Sequence, residues 1–335
     1  MRIAYLLESG ELFGGAKVIL MHAEALARRG HQATVVSPRP APDWYPLVQA
    51  RFEQAPFAES PALANADVVV ATFFRTVRPA LAAARGPVFH LCQGYEGEIA
   101  FYRDLLGDIE DIYRLPTRKL AVSRVLADRL EAMGFGPVED VGQAFDPSVF
   151  FPGEKRPASD PPVVLVVGPL EIEFKGVDVA LKGLETFRRR GGRFRLKRVS
   201  YFPPSEAEAR LIAADEFHHH VAPELMPLEY RSSDAFVGAS RVEEGFGLPS
   251  LEAIACGIPA LLSDVPGQKE IGGAAARYFR DGDPESLAEA MPGLLTPESR
   301  ERSRVAGPVE ASRYDTARVA ERLEVVFRAS VGSAG

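Results

Sequence analysis

The chain has 335 residues, 46% hydrophobic and 25% charged, with a formal net charge of -7 and a pI of about 5.6. That length and mixture suit two soluble globular domains, each able to bury its own core, and the acidic balance argues against nucleic acid as a partner. The two cysteines, Cys92 and Cys256, lie far apart among apolar residues, which excludes a disulfide framework or a cysteine metal knuckle.

The N-terminal run MRIAYLLESG is too short for a signal h-region and flows into a turn, so it reads as a first strand, Ile3–Leu7. An amphipathic helix follows over Ala16–Arg29, with Val18, Leu20, Met21, Ala25 and Leu26 on one face and Arg28, Arg29 and Gly30 closing it. Strands are predicted at Gln32–Ser37, Asp67–Thr72, Val88–Cys92 and Lys119–Val122, and a further helix at Arg124–Met133. The proline-rich, charged stretch Asp146–Pro162 reads as a linker. The pattern then restarts: strands at Val163–Val167, Phe194–Val199, Ala235–Gly238, Pro259–Leu262 and Arg277–Phe279, and helices at Val177–Arg190, Glu206–Asp215, Leu248–Cys256, Pro284–Met291 and Ala317–Arg328. Strands alternating with helices predict parallel sheets covered on both faces, with ligands at the carboxyl ends of the strands. No stretch approaches the roughly 20 apolar residues of a membrane span, so the expected location is the cytoplasm, with peripheral contact at the inner face of the membrane left open.

The segment EGFGLPSLEAIACGIP, Glu244–Pro259, carries the most chemistry. Glu244 and Glu252 flank a Gly245-Phe246-Gly247 turn that runs into a helix at Leu248. Glycines allow close backbone approach, and a helix start offers N–H groups and a dipole to an anion. A carboxylate on each side of such a cradle suits a nucleotide-sugar. On spacing alone, a capped surface helix with two solvated acids is an equal alternative.

This segment resembles the signature of the retaining glycosyltransferases of the family-4 type (glycosyl transferases group 1), E-G-F-G-L-x-x-L-E-A-x-A-C-G-x-P. The resemblance implies the GT-B fold: two Rossmann-like doubly wound domains facing across a cleft, an acceptor domain over 1–150, a donor domain over 151–312, and a C-terminal helix over 313–335 crossing back to the N-domain. It implies that Glu244 contacts the donor sugar, that the backbone of Gly245, Phe246, Gly247 and Leu248 holds sugar and phosphate, and that Glu252 binds the ribose. Lys175, in GPLEIEFKG, matches the family lysine that stabilises the leaving diphosphate; the family arginine six residues earlier is here Pro169. A surface lysine before a helix is the alternative for Lys175.

Gly14 and Gly15 follow the first strand, where the family places a Gly-Gly near the donor phosphate; helix entry alone is the other reading. In VFHLCQGYEG, Gln93 takes the place past the strand where family members often carry a histidine near the reacting sugar, followed by Tyr95 and Glu96, and the cluster resembles that of some rhamnosyltransferase-like members. His90 lies within the strand, as a core residue or a sugar contact. Gln93 can orient a hydroxyl but cannot serve as a general base.

The resemblance implies hexosyl or deoxyhexosyl transfer from a nucleotide-sugar donor to a hydroxyl of a glycan, glycolipid or small glycoside, with retention, domain closure and no nucleic-acid partner. No cofactor is expected, and no metal, since no Asp-x-Asp pair is present. The alternatives are a non-catalytic nucleotide-sugar-binding or assembly protein on this fold, kept open by Pro169 and Gln93, and a glycosidase using Glu244 and Glu252. His218, His219 and His220 alternate faces on a strand and cannot converge on a metal. The basic run Phe187–Arg198 is expected as a solvated helix end and edge strand, or as an anion-attracting patch. Oligomeric state is not encoded in any readable feature.

Overall fold

The computed structural model describes residues 1–11 and 14–332, and divides into two units: Met1–Phe145 with the C-terminal Tyr314–Gly335, and Asp146–Arg313.

In the first unit, strand β1 (Arg2–Leu6) buries Ile3, Ala4, Tyr5 and Leu6. The strands β2 (Gln32–Ser37), β3 (Arg51–Gln54), β4 (Val68–Ala71), β5 (Val88–Cys92), β6 (Arg118–Ala121) and β7 (Val138–Asp140) join it in the order β3-β2-β1-β4-β5-β6-β7. Every neighbouring pair is parallel, as in Ile3 opposite Ala33 and Val68. Burial on both faces explains the unbroken apolar run of β4 and the full burial of β5, where His90 alone interrupts the apolar residues. The helix Gly14–Arg28 turns Val18, Ile19, Leu20 and Leu26 into the core. The terminal helix Thr316–Gly332 packs here too: Phe327 meets the ring of Phe89 at 4.9 Å, and Arg29 Nε donates to Glu324 Oε2 at 2.8 Å.

The second unit holds β8 (Val163–Val167), β9 (Arg195–Ser200), β10 (Glu216–His219), β11 (Ala235–Gly238), β12 (Ala260–Ser263) and β13 (Ala276–Phe279) in the order β10-β9-β8-β11-β12-β13, again all parallel. Its core gathers Val164, Leu181, Leu196, Val237, Leu261 and Leu287. Helix starts carry side-chain caps: Ser205 for Glu206–Leu211, Asp283 for Pro284–Leu294 and Thr296 for Pro297–Ala311. Asp234, just before β11, is buried and bound by Arg300 at 2.5 Å, Arg156 at 3.0 Å and the amide of Val163 at 2.9 Å.

The basic run Phe187–Arg198 divides. Its helix end is solvated as expected, with Arg189 and Arg190 exposed, whereas β9 is an interior strand, so Lys197 and Arg198 are buried and form neither a solvated edge nor an anion-attracting patch. Among the described residues no helix is long and apolar enough to cross a membrane.

Candidate functional site

The chain order of the second sheet reverses between β8 and β11: β9 and β10 lie on one side, β12 and β13 on the other. At such a switch point the loops after the two strands part and leave a crevice. A cleft lies there, lined by Val167, Lys175, Gly238, Ser240, Glu244 and Ser250 among others.

Its two walls are built locally. After β8, a single 3-10 turn at Glu173–Lys175 ends on Gly176, whose left-handed φ of 61° starts the helix Val177–Arg189. A Cβ on Gly176 would run into the carbonyl of Ala239, so the turn and the end of β11 touch backbone to backbone. After β11, the amide of Arg241 donates to Phe174 O at 2.8 Å and that of Glu244 to Arg241 O at 3.1 Å, which stitches the two loops together. Lys175 and Glu244, distant in sequence, thereby meet: Lys175 Nζ forms an ion pair with Glu244 Oε1. Their side chains are 23% and 7% exposed, and Glu244 Oε2 is buried without a hydrogen-bond partner. A buried, half-satisfied carboxylate is costly to keep, and here it faces a cleft.

The Gly245–Leu248 turn forms with Gly247 at φ 105°, where a Cβ would sit 2.5 Å from Gln268 Nε2, and the helix Leu248–Ala255 follows. This helix start has fewer amides to offer than the sequence suggested. Pro249 has no N–H, and Ser250 and Leu251 both donate to Gly247 O, at 3.0 and 3.3 Å. Phe246 is 3% exposed, so its side chain is core. Glu252 lies one turn further on, 7% exposed, where its Oε2 accepts from Tyr230 Oη at 2.9 Å. It does not line the cleft that holds Lys175 and Glu244. The two acids are thus neither solvated surface carboxylates nor a facing pair: one is committed to a lysine, the other to a buried tyrosine.

Two arginines that do not line the cleft lie beside its walls, and the sequence reading does not single them out. Arg241 is partly exposed, reaches Asp178 Oδ1 at 3.4 Å and leaves Nε buried without a partner. Asp178 itself is held below the usual carboxylate range; burial alone would raise it, and the hydrogen bond from Lys182 with the charges of Lys182 and Arg241 overcomes that. Arg198, fully buried, donates to Val166 O at 2.6 Å and Gly168 O at 2.7 Å while pairing with Glu208 at 2.6 Å, and so fixes the end of β8 from which the Lys175 loop departs. A cation six residues before Lys175 would have shown in the sequence; one at the end of the neighbouring strand shows only once strand order is known.

In the first unit, Gln93 and the Gly-Gly pair come together: Gln93 Nε2 donates to Gly15 O at 3.1 Å. Gly14 and Gly15 open the helix Gly14–Arg28, two residues earlier than expected; 12 and 13 of the same motif lie outside the described residues. Glu96, partly buried, accepts from Tyr113 Oη at 2.6 Å, and burial raises its carboxyl above the ordinary range against the lowering effect of that bond. His90 takes the core alternative of its sequence reading, and Tyr95 is a correction. His90 has no exposed surface and no hydrogen-bond partner, and burial, with Lys119 nearby, pushes its imidazole down to about 3. Tyr95 is 4% exposed, packed between Tyr113 and Phe135. Side chains with so little accessible surface cannot hold a sugar; β5 is an interior strand, and His90 lies opposite the buried Lys119 of β6. In the second unit, His218 bonds Glu229 at 2.8 Å.

Solved structures share this architecture over almost the full chain. A sucrose-phosphate synthase from Thermosynechococcus elongatus superposes with a TM-score of 0.76 at 16% identity, covering 99% of both chains. HepE of Anabaena, solved in complex with UDP-glucose, gives 0.74 at 15% identity, covering 98% of this chain and 99% of that one. The two doubly wound parallel units are thus a GT-B fold. Residues 161–297, which contain Lys175, Glu244 and Glu252, match the family described as glycosyl transferases group 1, so the second unit is a domain of that family. Among curated proteins, the O-antigen chain mannosyltransferase B of Escherichia coli is 32% identical over 96 residues, 28% of this chain and 25% of that protein. The phosphatidyl-myo-inositol mannosyltransferase of Mycobacterium leprae is 32% identical over 100 residues, 29% and 27% respectively. The chain thus matches about a quarter of the length of these relatives.

Proposed function

We propose that the protein transfers a hexosyl or deoxyhexosyl unit from a nucleotide-sugar to a hydroxyl of a glycan or glycolipid, with retention and without a metal. The observation that carries this reading is the meeting of Lys175 and Glu244 in a switch-point cleft, inside the segment that matches the group 1 glycosyltransferases. Relatives and structural neighbours named as mannosyltransferases and as a UDP-glucose complex support the substrate class.

The cleft would take the diphosphate and the sugar. The bond between the anomeric carbon and the phosphate oxygen breaks with its electron pair going to the phosphate, and the Lys175 ammonium stabilises that developing charge; such fixed electrostatics is commonly the largest catalytic contribution. Arg241 is the second cation within reach of the Lys175 loop, in the role that Pro169 cannot fill. The acceptor oxygen bonds to the anomeric carbon from the face the phosphate leaves, and its proton passes to the departing phosphate oxygen. Glu244 would accept hydrogen bonds from sugar hydroxyls, and Glu252, already oriented by Tyr230, from the ribose. Gln93 and the Gly14–Gly15 helix start would serve in the first unit, where the acceptor is proposed to bind. The enzyme would work in the cytoplasm, peripherally at the inner face of the membrane where the acceptor is a glycolipid.

A calorimetric and thermal-shift screen of nucleoside diphosphates and nucleotide-sugars, on wild type and on Glu252→Ala and Lys175→Ala, tests the reading. One nucleotide should bind, and both variants should weaken it, with Lys175→Ala the more damaging to turnover. Folded protein that binds no nucleotide would remove the basis of the donor site. Tight donor binding without transfer to any acceptor would favour the non-catalytic reading that Pro169 leaves open.

A further inference from the structure

We propose that the Lys175–Glu244 ion pair makes the cleft read sugar and diphosphate as one unit, so that it discriminates against the bare nucleoside diphosphate. This rests on the donor-site reading above and goes beyond it.

Glu244 is the centre of the argument. Its side chain is 7% exposed; one oxygen is engaged by Lys175 and the other is buried without a hydrogen-bond partner. The neighbours that line the cleft give it no second cation: Val166, Val177, Phe236 and Val237 are apolar, and Ser240 and Ser250 are neutral. Arg241, the nearest cationic residue along the chain, pairs with Asp178, so it can assist a diphosphate but does not replace Lys175 at the carboxylate. An anion that recruits Lys175 must therefore compete with Glu244. If it wins, a buried carboxylate is left without its counter-charge; if it shares the lysine, two negative groups crowd one cation. Either outcome costs affinity, because an unpaired buried charge is far more expensive than an exposed one.

A sugar attached to the diphosphate changes the balance. Hydroxyl groups donate to ionised carboxylates in short, charge-assisted hydrogen bonds. Two such donors satisfy both oxygens of Glu244 and free Lys175 for the phosphate. The cation and the carboxylate are thus each released by a different part of the same ligand. Once the sugar has been transferred, the remaining diphosphate again competes with Glu244 for Lys175, and its release is favoured. The pair serves as a specificity and release device, and Glu244 acts partly through Lys175.

Calorimetry tests this on the full chain with UDP, GDP, dTDP and ADP and with UDP-glucose, GDP-mannose, dTDP-rhamnose and ADP-glucose, for wild type, E244Q, E244S, K175M and K175M/E244Q. Wild type should prefer the sugar form of its nucleotide over the bare diphosphate by about tenfold or more, the scale set by stranding a partly buried charge. E244Q should bind the bare diphosphate about tenfold more tightly than wild type, and the preference should fall to within about threefold. E244S, smaller and neutral, should move the same way, which covers a packing fault specific to glutamine. On the K175M background, E244Q should add little beyond relief of a lone carboxylate, so the two effects are not additive. Unchanged or weaker diphosphate binding by both E244Q and E244S, with wild type binding normally, overturns the coupling and leaves the donor site standing. Failure of folded wild type to bind any of the eight compounds overturns the donor-site reading and the coupling with it.

Discussion

Replacing Arg198 with methionine removes a cation from a place that water does not reach. Arg198 has no exposed surface, and its guanidinium serves three acceptors: Glu208, the carbonyl of Val166 and the carbonyl of Gly168. Methionine fills much of the volume and donates nothing, so Glu208, 8% exposed, keeps its charge without a counter-ion and two strand-end carbonyls lose their donors. Removing one partner of a buried pair costs about 3–5 kcal/mol, and a stranded carbonyl about 1–3 kcal/mol. Local relaxation makes these contributions overlap, so a net loss of about 4 kcal/mol is expected. For a unit of this size, that lowers the Tm by roughly 8–16 °C, read by calorimetry on the transition of the second unit. The double variant R198M/E208L, which removes the stranded carboxylate as well, should recover about 2 kcal/mol. Nucleotide affinity should fall in R198M, since Gly168 opens the loop that ends at Lys175. A Tm change under about 2 °C, or a double variant no better than the single, would refute the view that this buried cluster anchors the site.

Gly247→Ala forces a Cβ onto a φ of 105° and against Gln268, so it should cost about 1–3 kcal/mol in a urea titration and abolish nucleotide binding. Arg241→Ala should weaken diphosphate binding about tenfold in calorimetry, with Arg241→Lys recovering part of the loss; equal binding by the alanine variant would remove Arg241 from the site. Gln93→Ala loses the bond to Gly15 O, about 1 kcal/mol, and should speed hydrogen exchange of the amides at the start of the helix Gly14–Arg28. The first unit should also lose stability in acid. Burial pushes His22 and His90 down to about 3 in the folded chain, whereas the unfolded chain takes protons near 6.5. Below 6.5 the unfolded state therefore binds more protons, and stability falls with falling pH until about 3, by about 1.4 kcal/mol per histidine at pH 5.5 relative to pH 8. Tm measured over this range should flatten in the H22F/H90F variant, and an unchanged slope would show that other groups set it.

What could be read from the sequence follows from where each element sits. The sequence delimits Val163–Val167, Ala235–Gly238, Val88–Cys92 and Gln32–Ser37 to the residue because each is an interior strand built around an apolar run. The strands absent from the predicted set are Arg51–Gln54, Val138–Asp140 and, apart from the strand reading of its histidines, Glu216–His219, and each is the edge of its sheet. Edge strands are short and half exposed, so they carry no apolar run. Helices escaped where proline interrupts the pattern: Phe74–Ala83 contains Pro79 and Pro297–Ala311 contains Pro308. Each is sustained by tertiary packing where local propensity is weak.

The site divides along the same line. Glu244, the glycine turn and Glu252 form one contiguous segment, so their local order was legible, and Lys175 stood out as a cation at a strand end. Their pairing was not, because it depends on β8 and β11 being neighbours, which no spacing along the chain encodes. Strand order also explains the misread part of the basic run. A stretch such as RFRLKR looks solvated until β10 is placed outside β9; then its alternate side chains must find buried acceptors, and Arg198 finds them at the end of β8. The reversal of strand order between β8 and β11 therefore sets the cleft and the ion pair within it, and the place of β9 between β8 and β10 sets the buried arginine that braces it. A substitution that shifted the register of β8 against β9 would disturb all three at once, while leaving the signature segment intact in sequence.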